Sequence, residues 1–214
     1  MLSFQGRSEI DHRTMKLIVG GIAVGLALAL LVLTDGQIGS LSAAYHEDGL
    51  PRNLFVGCIF ALSAYFAAYN GRSTFEMRLS KGAAIVVLGV ALFPCACETH
   101  TPTVPYLHEI SAAITFSALA VFCFLFCLRA REKAHPRAQF RSVVYVVAGV
   151  TILVGMGLLG FDAWRDGAWA NGSRFVFWVE FAMLLAFGCA WLLASRLLPL
   201  VATLEERQAP PGTP

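Results

Sequence analysis

Apolar residues in this chain gather into six long blocks, Lys16 to Leu33, Asn53 to Asn70, Gly82 to Cys97, Glu109 to Leu128, Val143 to Phe161 and Phe175 to Ser195, with short polar segments between them. Blocks of this kind lack the alternating face of a soluble amphipathic helix, and most approach the roughly 20 residues that an α-helix needs to cross about 30 Å of hydrocarbon. The third is the shortest. It would rise only about 24 Å and carries Pro94 near its far end, so an irregular or kinked end is expected there. The pattern predicts an all-α, polytopic membrane protein: a bundle of six transmembrane helices over residues 16–196, between cytoplasmic tails at 1–15 and 197–214. The Ala209 to Pro214 end cannot hold a helix and is expected to be disordered.

Composition agrees: 57% of the 214 residues are hydrophobic and 14% charged, the balance of a membrane-embedded chain. The distribution of charge adds an orientation. Thirteen Lys and Arg fall in the N-terminal tail (Arg7, Arg13, Lys16), the second loop (Arg72, Arg78, Lys81), the fourth loop (Arg129, Arg131, Lys133, Arg137, Arg141) and the C-terminal segment (Arg196, Arg207). The other three, Arg52, Arg165 and Arg174, lie in the first, third and fifth loops. Short loops rich in Lys and Arg stay on the cytoplasmic side, so both termini are expected there, in a multi-pass protein of the inner (plasma) membrane. The basic loop from Arg129 to Arg141 suits anionic lipid headgroups, and no nucleic-acid partner is needed to explain it.

The first block is expected to remain as an anchor. The tail before it carries Glu9 and Asp11, and Thr34-Asp35-Gly36 after it offers no small-residue cleavage site. Gly21-x-x-x-Gly25, and more weakly Gly157 and Gly160, are candidates for close helix approach. A protein partner or a homo-oligomer is compatible with such faces.

Sorting titratable residues by side places His46, His100 and His108 on the outer face with Asp35, Glu47, Asp48, Glu98, Glu109, Asp162 and Asp166. Insertion does not require these groups. Glu180 stands five residues inside the sixth block, where an ionised carboxylate costs a few kcal/mol unless it meets partners or water. Its helical neighbours Phe177, Leu184 and Phe187 predict that it points into the bundle. His108 leads a second stripe with Ser111, Ala112 and Thr115. Ser42 and His46, four apart, would share one face of a continuing helix, and Arg52 is placed to neutralise Glu180 or to bind a lipid phosphate. The expected pocket is therefore Ser42, His46, Arg52, His108, Ser111 and Glu180, binding a lipid, a small ligand or a partner protein at the outer end.

Cys58, Cys123, Cys127 and Cys189 sit within blocks as small hydrophobes, whereas Cys95-Ala96-Cys97 closes the third block and, in an oxidising compartment, can bond to another thiol or help to bind a metal. Asn171-Gly172-Ser173 forms a glycosylation sequon.

Two resemblances accompany these residues. Phe93-Pro94-Cys95, followed by Leu107-His108-Glu109-Ile110-Ser111-Ala112, together with Ser42-Ala43-Ala44-Tyr45-His46 and Phe177-Trp178-Val179-Glu180, is similar to an uncharacterised bacterial family of six-helix integral membrane proteins. That likeness implies a fold and a location, without an activity. Ser42-x-x-x-His46 also resembles one motif of the seven-helix hydrolase superfamily that includes alkaline ceramidases and progestin and adiponectin receptors. The chain departs from that group in having six blocks, no HxxxH near its C-terminus and no matching intramembrane Asp. The resemblance implies a zinc-dependent transmembrane lipid or amide hydrolase. In it His46, His108, and His100 or Glu98 would hold zinc, with Glu180 or Glu109 as general base.

Overall fold

A computed structural model describes residues 11–35, 37–96, 100–102, 104–133, 135–170, 173–199 and 202. The described residues are helical, with no strand. The helices are α1 (His12–Leu33), α2 (Leu50–Ala68), α3 (Thr74–Leu92), α4 (Leu107–Arg131), α5 (Pro136–Trp164) and α6 (Phe175–Ser195), and a 3₁₀ turn covers Ser42–Tyr45 between α1 and α2. Sequence neighbours pack side by side and α1 packs against α6, so the helices form a closed ring in chain order. Cys97, Glu98, the Asn171-Gly172 part of the sequon and the Ala209–Pro214 end lie outside the described residues.

Five helices, all but α3, are long and apolar enough to cross a membrane. This is a membrane protein. In α3 the first half carries Glu76, Arg78 and Lys81, and the helix begins at Thr74, eight positions before the expected block. Ser73 starts it as N-cap, its hydroxyl accepting from the Glu76 N–H at 3.1 Å. At the other end α3 stops at Leu92, because Phe93 precedes Pro94 and takes an extended conformation (φ −110°, ψ 122°). Asp11 caps α1, accepting from the N–H groups of Arg13 and Thr14. Partial burial pushes its pKa up, but the hydrogen bonds from the Thr14 hydroxyl and from the Arg13 and Thr14 N–H groups outweigh it and hold the carboxyl below its usual range.

The bundle turns large apolar side chains outward. On α5, Val143, Val147, Val150, Val154, Leu158 and Phe161 follow one another at helical spacing and are all exposed, a face suited to lipid. Inside, small residues permit close approach, since lipid removes the usual hydrophobic drive between helices. A close crossing joins α1 to α6 at Gly20 and Gly188: a Cβ on Gly20 would stand 2.7 Å from the Gly188 carbonyl oxygen. The expected glycines are displaced from this role, for Gly21, Gly25, Gly157 and Gly160 have open space where a Cβ would stand. Gly155 instead receives Met183, and Gly149 receives Phe124.

Trp191, fully buried, sits at the centre of the bundle with ring centroids of Phe66, Tyr69, Phe122, Phe126 and Phe187 at 5.4–5.5 Å. Rings from α2, α4 and α6 thus form a plug. On one side, Phe66 and Phe187 line an apolar chamber beneath an acidic end, while on the other Phe126 lines a pocket at a basic end.

Candidate functional site

Two straps build the wall of the acidic end. The first is the segment after α1, tied to α6 where the Phe177 N–H donates to the Gly39 carbonyl at 2.8 Å. Glu180 secures it further: one carboxylate oxygen accepts from the Leu41 N–H at 2.7 Å and the Ser42 N–H at 3.3 Å, and the other from the Ser42 hydroxyl at 3.4 Å. A carboxylate at the start of this turn is favoured by the unpaired N–H groups there. The second strap is the extended segment after α3. His108, 4% exposed, donates through Nδ1 to the Phe93 carbonyl at 2.8 Å, and His46 donates through Nε2 to the Cys95 carbonyl at 3.0 Å. A Glu109 carboxylate oxygen accepts from the Ala96 N–H at 3.3 Å. With Pro94 ending the helix, these carbonyls need donors, and the two histidines supply them. Cys95 in this strap is disulfide-bonded, whereas Cys58, Cys123, Cys127 and Cys189 are free thiols.

Between the straps lies a cavity of about 470 Å³. Its polar lining includes Ser40, Ser42, His108, Glu109, Asp162 and Glu180, and its floor is apolar, with Ala112, Phe116, Met156 and Met183. No Lys or Arg is among the described lining residues. Asp162 is buried and accepts from the Trp169 N–H at 2.7 Å. Ser42, Ala112, Phe116 and Glu180 are shared with the chamber beneath, a narrower space of about 60 Å³ closed by Phe66 and Phe187. In that apolar chamber the Thr115 hydroxyl is buried without a hydrogen-bond partner.

The structure therefore joins Ser42, His108 and Glu180 at one cavity and separates the other expected members. Ser42 and His46 do not share a helix face, because α1 ends at Leu33 and a separate 3₁₀ turn carries Ser42 toward Glu180 and His46 toward Cys95. Arg52 does not meet Glu180: its guanidinium bonds Asp48 at 2.8 Å and the Tyr45 carbonyl at 3.0 Å. Ser111 serves helix packing, lying so near Gly89 that a Cβ there would stand 2.5 Å from its hydroxyl. His46 and His100 stack face to face, ring centroids 4.1 Å apart. Among the described residues no group of three or more His, Cys, Asp or Glu is arranged to hold a metal ion. His46, His100 and His108 thus lack the convergence that zinc ligation demands.

One buried centre escaped the sequence reading. Glu76, fully buried, pairs with both terminal guanidinium nitrogens of Arg129, accepts from the Tyr69 hydroxyl at 2.7 Å and accepts from the Arg72 N–H at 2.7 Å. Gly71, at φ 64°, leaves the space that Glu76 fills; a Cβ there would stand 2.4 Å from the Glu76 side chain. The signal was present as Ser73-x-x-Glu76, a capping-box spacing at a helix start.

The chain matches no protein-family model, no curated protein and no solved structure.

Proposed function

We propose that this protein binds a small amphiphile, with a cationic or hydrogen-bond-donating polar end, in the cavity between the straps. The observation that carries this reading is the union of three carboxylates, Glu109, Asp162 and Glu180, with His108 above an apolar floor. A volume of about 470 Å³ falls in the usual range for small-molecule sites, which pair an apolar lining with a few placed polar groups. Carboxylates unrelieved by a lining Lys or Arg favour a positive or donor-rich head, and the chamber beneath accepts the first apolar groups of a tail.

In this reading all six helices cross the inner membrane, both termini are cytoplasmic and the cavity opens outward. The 13-to-3 division of Lys and Arg supports that orientation, and a disulfide at Cys95 suits the oxidising side. Exposed Ile85 and Leu92 support α3 as the sixth span. Its charges are relieved locally: Lys81 reaches the Ala67 carbonyl and the Asn70 side chain, as a cation near a membrane surface does. Single cysteines placed at Asn70 and at His100, in a chain otherwise free of reactive thiols, check this. A membrane-impermeant maleimide should label position 100 in intact cells and position 70 only after permeabilisation; labelling of both from one side would remove α3 from the spans.

The binding test is a fluorescence titration of purified protein with a dansyl-labelled alkylammonium. Saturable binding is expected, at least about tenfold tighter than for the carboxylate of equal chain length, a difference of about 1.4 kcal/mol. Equal binding of the two probes would contradict an acidic recognition site.

A further inference from the structure

Among the described residues, Thr115 holds the one hydroxyl that is buried without a hydrogen-bond partner. A helical Ser or Thr away from water can return its hydroxyl to a carbonyl three or four residues earlier. Ser117, two positions along the same helix, does so with the Ala113 carbonyl at 2.8 Å, and Thr34 does so with that of Leu30 at 2.7 Å. Ser63 and Ser80 reach across to a neighbouring helix instead, donating to the Ala84 carbonyl at 2.8 Å and the Phe66 carbonyl at 2.7 Å. Thr115 takes neither course. A buried donor left open costs stability, and a ligand that brings the acceptor recovers it.

The position of this hydroxyl matters because Thr115 lines the chamber beneath the strap cavity. It stands one turn further along α4 than Ala112, which both spaces share, and seven residues beyond His108 of the cavity, about 10 Å deeper along the helix axis. The rest of the chamber wall is apolar except for Ser42 and Glu180, which are bonded to each other. A water beside Thr115 would need two to four polar partners, and beyond Thr115 this wall offers only that engaged pair. The chamber's volume of about 60 Å³ admits roughly four to six water-sized groups. That suits a short chain and excludes a long acyl tail.

We infer that the chain inserted below the polar head carries an oxygen acceptor, as an ether, hydroxyl or carbonyl, and that Thr115 recognises it by donating its hydroxyl. This rests on the proposed reading of the strap cavity as a site for a cationic or donor-bearing head. It narrows the ligand class to short-chain amines that bear an oxygen, such as amino ethers and amino alcohols. Carboxylates at the cavity accept any ammonium of suitable size, so Thr115 is the residue that selects among them.

The test displaces the dansyl-labelled alkylammonium from the full chain in nanodiscs with short alkylammonium ions of equal chain length. In one member of the set the chain is all carbon, and in the others an ether oxygen replaces one methylene at successive positions. One ether should bind about three- to tenfold tighter than the all-carbon ion. Thr115→Val keeps the shape of the side chain and removes the donor; it should reverse that preference while binding the all-carbon ion at least as tightly. Thr115→Ser keeps the donor and should keep the preference. If the unaltered protein binds the ions saturably and prefers the all-carbon chain to every ether, the inference is overturned and the acidic head site stands. An ether preference that survives Thr115→Val places the oxygen elsewhere and overturns it too. Absence of saturable binding by any ion would overturn the head site and this inference together.

Discussion

Glu76→Ala is expected to destabilise the protein by about 3–5 kcal/mol, the range seen when one member of a buried ion pair is removed. The change deprives Arg129 of both its contacts with Glu76, leaves the Tyr69 hydroxyl and the Arg72 N–H without their acceptor, and removes the buried negative charge that faces the Arg129 guanidinium. Arg129→Ala should cost a similar amount. Because the two side chains act on each other, the double substitution should cost less than the sum of the singles, with a coupling of about 0.5–3 kcal/mol. Thermal unfolding in a fixed detergent checks this, and a midpoint for Glu76→Ala within about 1 °C of the unaltered protein would sink the argument. The pair is not equally enclosed, for the Arg129 side chain keeps 22% of its exposure, so the Arg129 substitution belongs at the lower end of the range.

Glu180 should divide into two roles under substitution. Glu180→Ala strands the N–H groups of Leu41 and Ser42, and unsatisfied buried donors cost about 1–3 kcal/mol each at most. The strap should loosen, with faster amide exchange over residues 39–45. Glu180→Gln keeps a carbonyl oxygen for the same donors and removes the charge, so most stability should return. Binding of the alkylammonium probe should still fall about tenfold. If Glu180→Gln bound the probe as tightly as the unaltered protein, Glu180 would be a structural clamp alone.

Much of the architecture was readable in the order of residues, because apolar blocks in lipid leave the backbone little choice but helix. The start of α3 was not. Glu76, Arg78 and Lys81 resemble a loop's charges, yet Glu76 is satisfied from three neighbouring segments and Lys81 lies back along α2. Only tertiary partners distinguish that helix from a polar connection. The inward aim of Glu180 and the stripe that His108 leads followed from helical spacing. Their partners did not, since spacing says nothing of how helices are ordered in a ring. Arg52 shows the difficulty: an acid four residues away, Asp48, takes the guanidinium that charge arithmetic would have sent to Glu180. The glycine motif failed for a related reason. Gly20 and Gly21 are adjacent, and the position of Gly188 on α6 decides which of them is the contact.

The histidines are explained by the backbone they serve. His46 and His108 each donate to a carbonyl in the strap after α3, so their presence on one side of the chain reflects an irregular segment beside Pro94 that needed donors. What strap formation leaves unexplained is the space enclosed, with three carboxylates around it and an apolar chamber beneath.

That space is tested most directly by filling it. Ala112 lines both the cavity and the chamber and takes no part in either strap, so Ala112→Phe should obstruct ligand entry while the straps stay tied. The decisive measurement is the dansyl-alkylammonium titration of Ala112→Phe beside the unaltered protein, with thermal midpoints recorded for both. Saturable binding should disappear from the substituted protein while its midpoint stays within a few degrees; undiminished binding in a folded Ala112→Phe protein would place the ligand elsewhere and contradict the assignment.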